Sequence, residues 1–219
     1  MIELKKEVIK YAQKLNSTNL SPLRSGNVSV RVTKENVEGF LLTPSGKRYE
    51  DLVPEDIVFL SLKDEYDNLK LFNSSLNPSS EWRFHQDIYR KKIEAKAIVH
   101  AHSPHATAVS VHGKSIPAFH YMVALAGGED IKCAEYATFG TTELSKNINK
   151  ALEKRKACLM SNHGQVAFGN NLKQAFELAE EVENICHQYI IALKIGEPKI
   201  LSSAEMNKIL DKIKHYKKA

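Results

Sequence analysis

Asn27-Val28-Ser29-Val30-Arg31-Val32 alternates polar and apolar residues without a break, and Phe40-Leu41-Leu42-Thr43 follows shortly after it. Period-two alternation sends successive side chains to opposite faces of an extended chain, so both stretches read as strands. No helical stretch separates them, and Ile57-Val58-Phe59-Leu60-Ser61-Leu62 adds a third strand soon afterwards. Strands that adjoin in this way favour a mainly antiparallel sheet over a doubly wound parallel one.

Outward from this core, Ile2, Leu4, Val8, Ile9, Ala12 and Leu15 recur at helical spacing, which predicts an amphipathic helix over 2–16. A short strand is expected near 70–72. Ser79-Ser80-Glu81 opens a helix to about Lys92, and Pro104 opens one through about Val111. Ala97-Ile98-Val99-His100-Ala101-His102 and Ala157-Cys158-Leu159-Met160-Ser161-Asn162 read as buried strands, with a further short strand over 165–168. A long helix runs from Leu172 to about Leu193, and a last one covers 202–216. The expected fold is α/β, with a mainly antiparallel central β-sheet flanked by α-helices, in one domain spanning 1–219. There is no internal repeat, low-complexity segment or linker.

The 219 residues are 42% apolar and 26% charged, the balance of an ordinary globular chain. The net charge of +5 is spread along the chain, and its basic clusters at Arg90-Lys91-Lys92 and 214–218 lack the aromatic interleaving of a nucleic-acid surface. No nucleic-acid partner is expected. The opening Met1-Ile2-Glu3-Leu4-Lys5-Lys6-Glu7-Val8 lacks the apolar run of a signal peptide, and no stretch is apolar enough for a membrane span. Cys133, Cys158 and Cys186 are odd in number and form no Cys-X-X-Cys pair, so reduced thiols and a cytoplasmic location are expected.

His100-Ala101-His102 is the most informative local feature. Residues i and i+2 of a strand share a face, so two imidazoles can reach one ion from a strand end. His163 closes a second apolar stretch, with Gly164 directly after it to permit close backbone approach. Three neutral imidazoles with a fourth open position make a catalytic zinc site, and a carboxylate can complete the shell. A His-X-His pair also arises by chance in a chain with nine histidines, so spacing alone leaves both readings open. His105 is a weaker ligand candidate, and His85, His112, His120, His187 and His215 read as surface or packing residues.

Ser79, Ser80 and Glu81 stand where a helix has free N–H groups, so they are either plain caps or an anion site carrying an acid/base carboxylate. Ser25-Gly26-Asn27 and Thr43-Pro44-Ser45-Gly46 are ordinary turns or backbone cradles for phosphate.

These motifs occur in a fixed order: Ser25-Gly26-Asn27-Val28-Ser29, Thr43-Pro44-Ser45-Gly46, Ser79-Ser80-Glu81-Trp82, His100-Ala101-His102-Ser103 and His163-Gly164. With Pro78-Ser79-Ser80-Glu81-Trp82-Arg83-Phe84-His85, Ser115-Ile116-Pro117-Ala118-Phe119-His120-Tyr121-Met122 and Tyr136-Ala137-Thr138-Phe139-Gly140-Thr141, the chain resembles the class II aldolase/adducin family over nearly its whole length. It is nearest the fuculose-phosphate aldolase branch. The resemblance implies a homotetramer with one Zn2+ per subunit, ligated by His100, His102 and His163. Glu81 is implied as a fourth ligand at rest and as the proton-transfer residue. Gly26, Asn27, Ser45, Gly46, Ser79 and Ser80 are implied to hold a substrate phosphate. Tyr121 matches a tyrosine given by a neighbouring subunit to act on the aldehyde-derived oxygen, and Tyr216 matches one that closes over the site.

The implied activity is reversible cleavage of a ketose 1-phosphate to dihydroxyacetone phosphate and an aldehyde, through a zinc-stabilised enediolate. L-fuculose 1-phosphate or a related deoxy-pentulose or hexulose phosphate is the implied substrate. Within the family, pentulose-phosphate 4-epimerases tend to carry Asp where Glu81 stands, and methylthioribulose-phosphate dehydratases eliminate at a similar site. The non-catalytic adducin branch lacks the full ligand set that this sequence keeps.

Overall fold

A computed structural model describes residues 1–63 and 76–216, without the side chain of Tyr216. The strand expected near 70–72 lies outside the described residues. In chain order the elements are α1 (Ile2–Ser17), β1 (Asn27–Lys34), β2 (Val37–Leu42), β3 (Val58–Ser61), α2 (Trp82–Lys91), β4 (Ala97–Ala101) and α3 (Pro104–Ser110). There follow β5 (Cys133–Ala134), α4 (Thr142–Ala151), β6 (Ala157–Met160), β7 (Gly164–Gly169), α5 (Leu172–Ile195) and α6 (Ser203–Tyr216). Among the described residues, seven strands form one sheet in the order β3-β2-β1-β4-β7-β6-β5. Every neighbouring pair is antiparallel except β5 with β6. The mainly antiparallel α/β architecture expected from the early strands is the one observed.

The β1–β2 hairpin extends further than the alternation marked. Its turn residues, Glu35 and Asn36, take φ of 49° and 64°. That left-handed pair matches strand twist, so pairing begins at once with Lys34 opposite Val37.

Alternation along the central strands divides two cores. Ala97, Val99 and Ala101 of β4 join Val28 and Val30 of β1 in the layer with α1, α3 and α5. Ile98 enters the opposite layer, among Trp82, Phe84 and Ile88 of α2 and Leu144 and Ile148 of α4. His100 is two residues beyond Ile98 and emerges on the same α2 side, at the end of the strand. The fold thus delivers its first metal-ligand candidate to a position rimmed by α2.

Four features depart from the sequence expectation, the first being the two-residue strand β5, which had no counterpart. Helix α4 had no counterpart; Thr141 caps it by accepting a 3.2 Å hydrogen bond from the Leu144 N–H, and Leu144, Ile148 and Ala151 are its buried stripe. Strand β6 stops at Met160, so His163 sits in the turn before β7. Helix α2 begins at Trp82, which leaves Glu81 at the capping position with its side chain making no cap.

Candidate metal centre and substrate cleft

Two glycines bring the backbone close to the end of β4. A Cβ on Gly164 would lie 2.4 Å from the Ala101 carbonyl oxygen, and one on Gly26, where φ is +80°, would lie 2.5 Å from that of His100. Neither position admits a side chain, so the β7 and β1 entries abut the strand that bears His100. The close approach at Gly164 is to backbone rather than to a ligand. The His163 N–H donates to the Met160 carbonyl at 3.0 Å, and Asn162 takes φ +55°. This tight turn aims His163 back over β4.

The three imidazoles form a nearly equilateral triangle, with ring centroids 4.8 Å (His100–His102), 4.9 Å (His100–His163) and 4.8 Å (His102–His163) apart. Glu81 faces it from the start of α2. Its Oε2 is 3.0 Å from His100 Nε2 and its Oε1 3.2 Å from His163 Nε2. His100 Nε2 is 3.0 Å from His102 Nε2. A tetrahedral ion with bonds of about 2.0–2.1 Å places its ligand atoms roughly 3.3 Å apart, close to these separations.

Two further observations show that the group fits a divalent cation. His100 Nδ1 contacts the Gln165 carbonyl at 2.8 Å; only Nδ1–H can donate there, so Nε2 is the nitrogen left to give up its proton and offer a lone pair to an ion. Glu81 Oε1 is buried and accepts no hydrogen bond. One ligand atom from each of Glu81, His100, His102 and His163 lies within 4.8 Å of the others.

Burial alone would raise the pKa of Glu81, but the charge and hydrogen bond of His100, with His163 and His102, hold it at about 2. Burial lowers His100, and the charge and hydrogen bond of Glu81 outweigh it to leave the ring raised. Burial and the charge of His100 push His102 down to about 3 and His163 to about 4. An ionised carboxylate therefore faces two neutral, ligand-ready rings. His85, fully buried, is pushed down to about 3 by burial and then by the charge of His100.

An open cleft of about 360 Å3 leads to this cage. Gly26, Asn27, Ser45, Gly46, Ser79 and Ser80 all line it, together with Glu81, His102 and His163. The backbone donors of these turns are mostly engaged. The Ser45 N–H donates to the Asn77 carbonyl at 2.9 Å, that of Ser79 to Thr43 at 3.1 Å and that of Trp82 to Ser79 at 3.1 Å. The start of α2 thus has fewer free N–H groups than a bare helix end. Asn27 directs its amide nitrogen at Ser79 Oγ and Glu81 Oε2, both at 3.1 Å.

Arg24, Tyr136, Phe139 and Asn162 also line the cleft; Tyr136 and Phe139 stand in a motif that carried the resemblance, but none of the four had been given a site role. Arg24 is tied to the Ser45-Gly46 turn by its 2.7 Å bond to the Gly46 carbonyl. Tyr121 does not line the cleft; it is exposed in the 3-10 turn Tyr121–Ala126. Tyr216 ends α6, and its side chain lies outside the described residues. His105 is no part of the cage, since its Nδ1 pairs with Glu183 at 2.7 Å. No helix among the described residues is long and apolar enough to cross a membrane.

The family described as Class II Aldolase and Adducin N-terminal domain matches residues 6–190. A 5-methylthioribulose-1-phosphate/5-deoxyribulose-1-phosphate aldolase of Rhodospirillum rubrum is 45% identical over 98% of this chain and 93% of its own. An L-fuculose phosphate aldolase of Escherichia coli K12 is 43% identical over 98% of this chain and 95% of its own. A solved L-fuculose 1-phosphate aldolase superposes with a TM-score of 0.90 at 38% identity, covering 98% of this chain and 97% of that one.

Proposed function

The chain belongs to the class II aldolase/adducin family, and from that premise we propose that it is a zinc-dependent aldolase that reversibly cleaves a ketose 1-phosphate to dihydroxyacetone phosphate and an aldehyde. The observation that carries this reading is the Glu81, His100, His102 and His163 cage at the inner end of a cleft walled by three small polar turns. The names of the similar proteins support L-fuculose 1-phosphate or a 5-deoxypentulose 1-phosphate as the substrate.

His100, His102 and His163, with Glu81 at rest, hold the ion. When bound, zinc supplies Lewis acidity toward the carbonyl end of the sugar. The remaining work falls to the chain. Glu81 is kept ionised by its histidine neighbours, so it enters the condensation direction as the base that takes the C3 proton of dihydroxyacetone phosphate. Gly26, Asn27, Ser45, Gly46, Ser79 and Ser80 hold the phosphate end, with Arg24 adding positive charge at the rim. Anchoring a non-reacting group turns binding energy into orientation at the reacting carbons. We assign Tyr121 to the cleft of a neighbouring copy in a homotetramer, where its hydroxyl serves the aldehyde-derived oxygen. Tyr216 is assigned to closure over the site, and 1–219 to one catalytic domain.

The test is a panel of ketose 1-phosphates incubated with zinc-loaded protein. Release of dihydroxyacetone phosphate from a deoxy-pentulose or deoxy-hexulose phosphate is the expected outcome. Inverted pentulose phosphates or elimination products without it would overturn the aldolase reading in favour of the epimerase or the dehydratase.

A further inference from the structure

A row of buried polar side chains runs behind the cage from Glu81 and Asn27 to His85, Ser29 and Tyr89, and these last three have no place in the reaction as described. Asn27 and Ser29 share one face of β1. Glu81, His85 and Tyr89 stand four residues apart on the facing side of α2 and its cap. None of the five is more than 7% exposed, and His85 and Ser29 are fully enclosed.

The direction of this row follows from one end. An ionised carboxylate only accepts hydrogen bonds, so the Asn27 group facing Glu81 Oε2 is the amide nitrogen. Asn27 Oδ1 therefore faces His85 Nε2, at 2.5 Å, and that nitrogen carries the proton. A neutral ring then has its lone pair on Nδ1, which accepts from the Ser29 hydroxyl at 2.7 Å. Ser29 in turn accepts from the Tyr89 hydroxyl at 2.7 Å. The other tautomer would set a lone pair against Asn27 Oδ1, and a flipped amide would set Oδ1 against the carboxylate. A charged ring in a fully enclosed site is opposed by desolvation.

We infer that His85 is a positioning residue for Glu81: as the neutral Nε2–H tautomer it fixes the Asn27 amide, which holds Oε2 and leaves Oε1 within the cage free of hydrogen bonds. Of the two Glu81 oxygens, Oε1 is the one that accepts no hydrogen bond. The consequence for rate rests on the aldolase reading, whereas the tautomer does not. Spacing alone reads His85 as a surface or packing residue, because the link needs the placement of β1 against α2.

The test has two arms. In the first, 15N-histidine spectra of the zinc-loaded protein at neutral pH report the His85 tautomer. A proton on Nε2 alone is expected; a proton on Nδ1, alone or with Nε2, overturns the inference. In the second arm, His85→Leu and His85→Gln are loaded with zinc and compared with the parent. His85→Leu should slow exchange of the C3 proton of dihydroxyacetone phosphate by about 10-fold to 100-fold, the usual cost of losing an outer partner of a ligand. Its KM and metal content should stay near the parent values. Glutamine keeps a donor and an acceptor at comparable reach, so His85→Gln should restore most of the rate. Parent-like exchange in His85→Leu, or a glutamine variant no better than the leucine one, overturns the inference. A parent protein that catalyses no exchange refutes the aldolase reading instead, and the tautomer arm then decides the positioning claim. The tautomer arm also stands if His85→Leu does not fold.

Discussion

Two histidine–glutamate groups lie close together along this chain and differ in one respect. In the cage, Glu81 approaches His100 and His163 at 3.0 and 3.2 Å, and its Oε1 accepts no hydrogen bond. Three residues after His102, His105 meets Glu183 of α5, and His187 stacks on His105 with ring centroids 4.0 Å apart. Both oxygens of Glu183 are engaged. Its oxygens accept from His105 Nδ1 and from the N–H groups of His105 and Ala106 at 2.7–2.9 Å, so it caps the start of α3. The residue types are the same. A buried carboxylate with unused acceptor capacity among converging rings points to a cation, whereas a satisfied one points to structure.

Substitution should separate the two groups. His102→Ala should remove metal and activity together, the largest effect, read by metal analysis and turnover. Glu81→Gln should keep the fold by circular dichroism but slow exchange of the C3 proton of dihydroxyacetone phosphate by about 10²-fold to 10⁴-fold, the range for a general base. Next in size is acid destabilisation of the metal-free protein. His85 titrates near 3 when folded against an ordinary 6.5 when unfolded, so the unfolded chain binds the extra proton first. Its contribution is complete above pH 6.5 and is lost as the pH falls from 6.5 toward 3, which a series of thermal melts would follow. Glu183→Ala should have the smallest effect, a loss of about 1 kcal/mol in denaturant unfolding, as for other helix caps, with metal content unchanged.

Local chemistry made part of this legible. Alternation at β1, the His-X-His pair ending β4 and the glycines beside it all act through neighbours in sequence, and they located the sheet and most of the cage. Most of what escaped was set by distant partners. The stripe of α4 and its Thr141 cap were readable, but they stand in a stretch of short pieces between β4 and β6. Local spacing left Glu81 open as either a cap or an acid/base carboxylate, and only the packing of α2 on β4 turns it to the histidines. The engaged N–H groups of Ser45 and Ser79 depend on pairing between turns far apart in sequence. No local pattern reports such pairing.

The central claim is that Glu81, His100, His102 and His163 hold one divalent ion. Metal stoichiometry after zinc-replete purification tests it most directly. The account predicts one zinc per chain, lost in His102→Ala and retained in Glu183→Ala. A folded, active protein without stoichiometric divalent metal would contradict it.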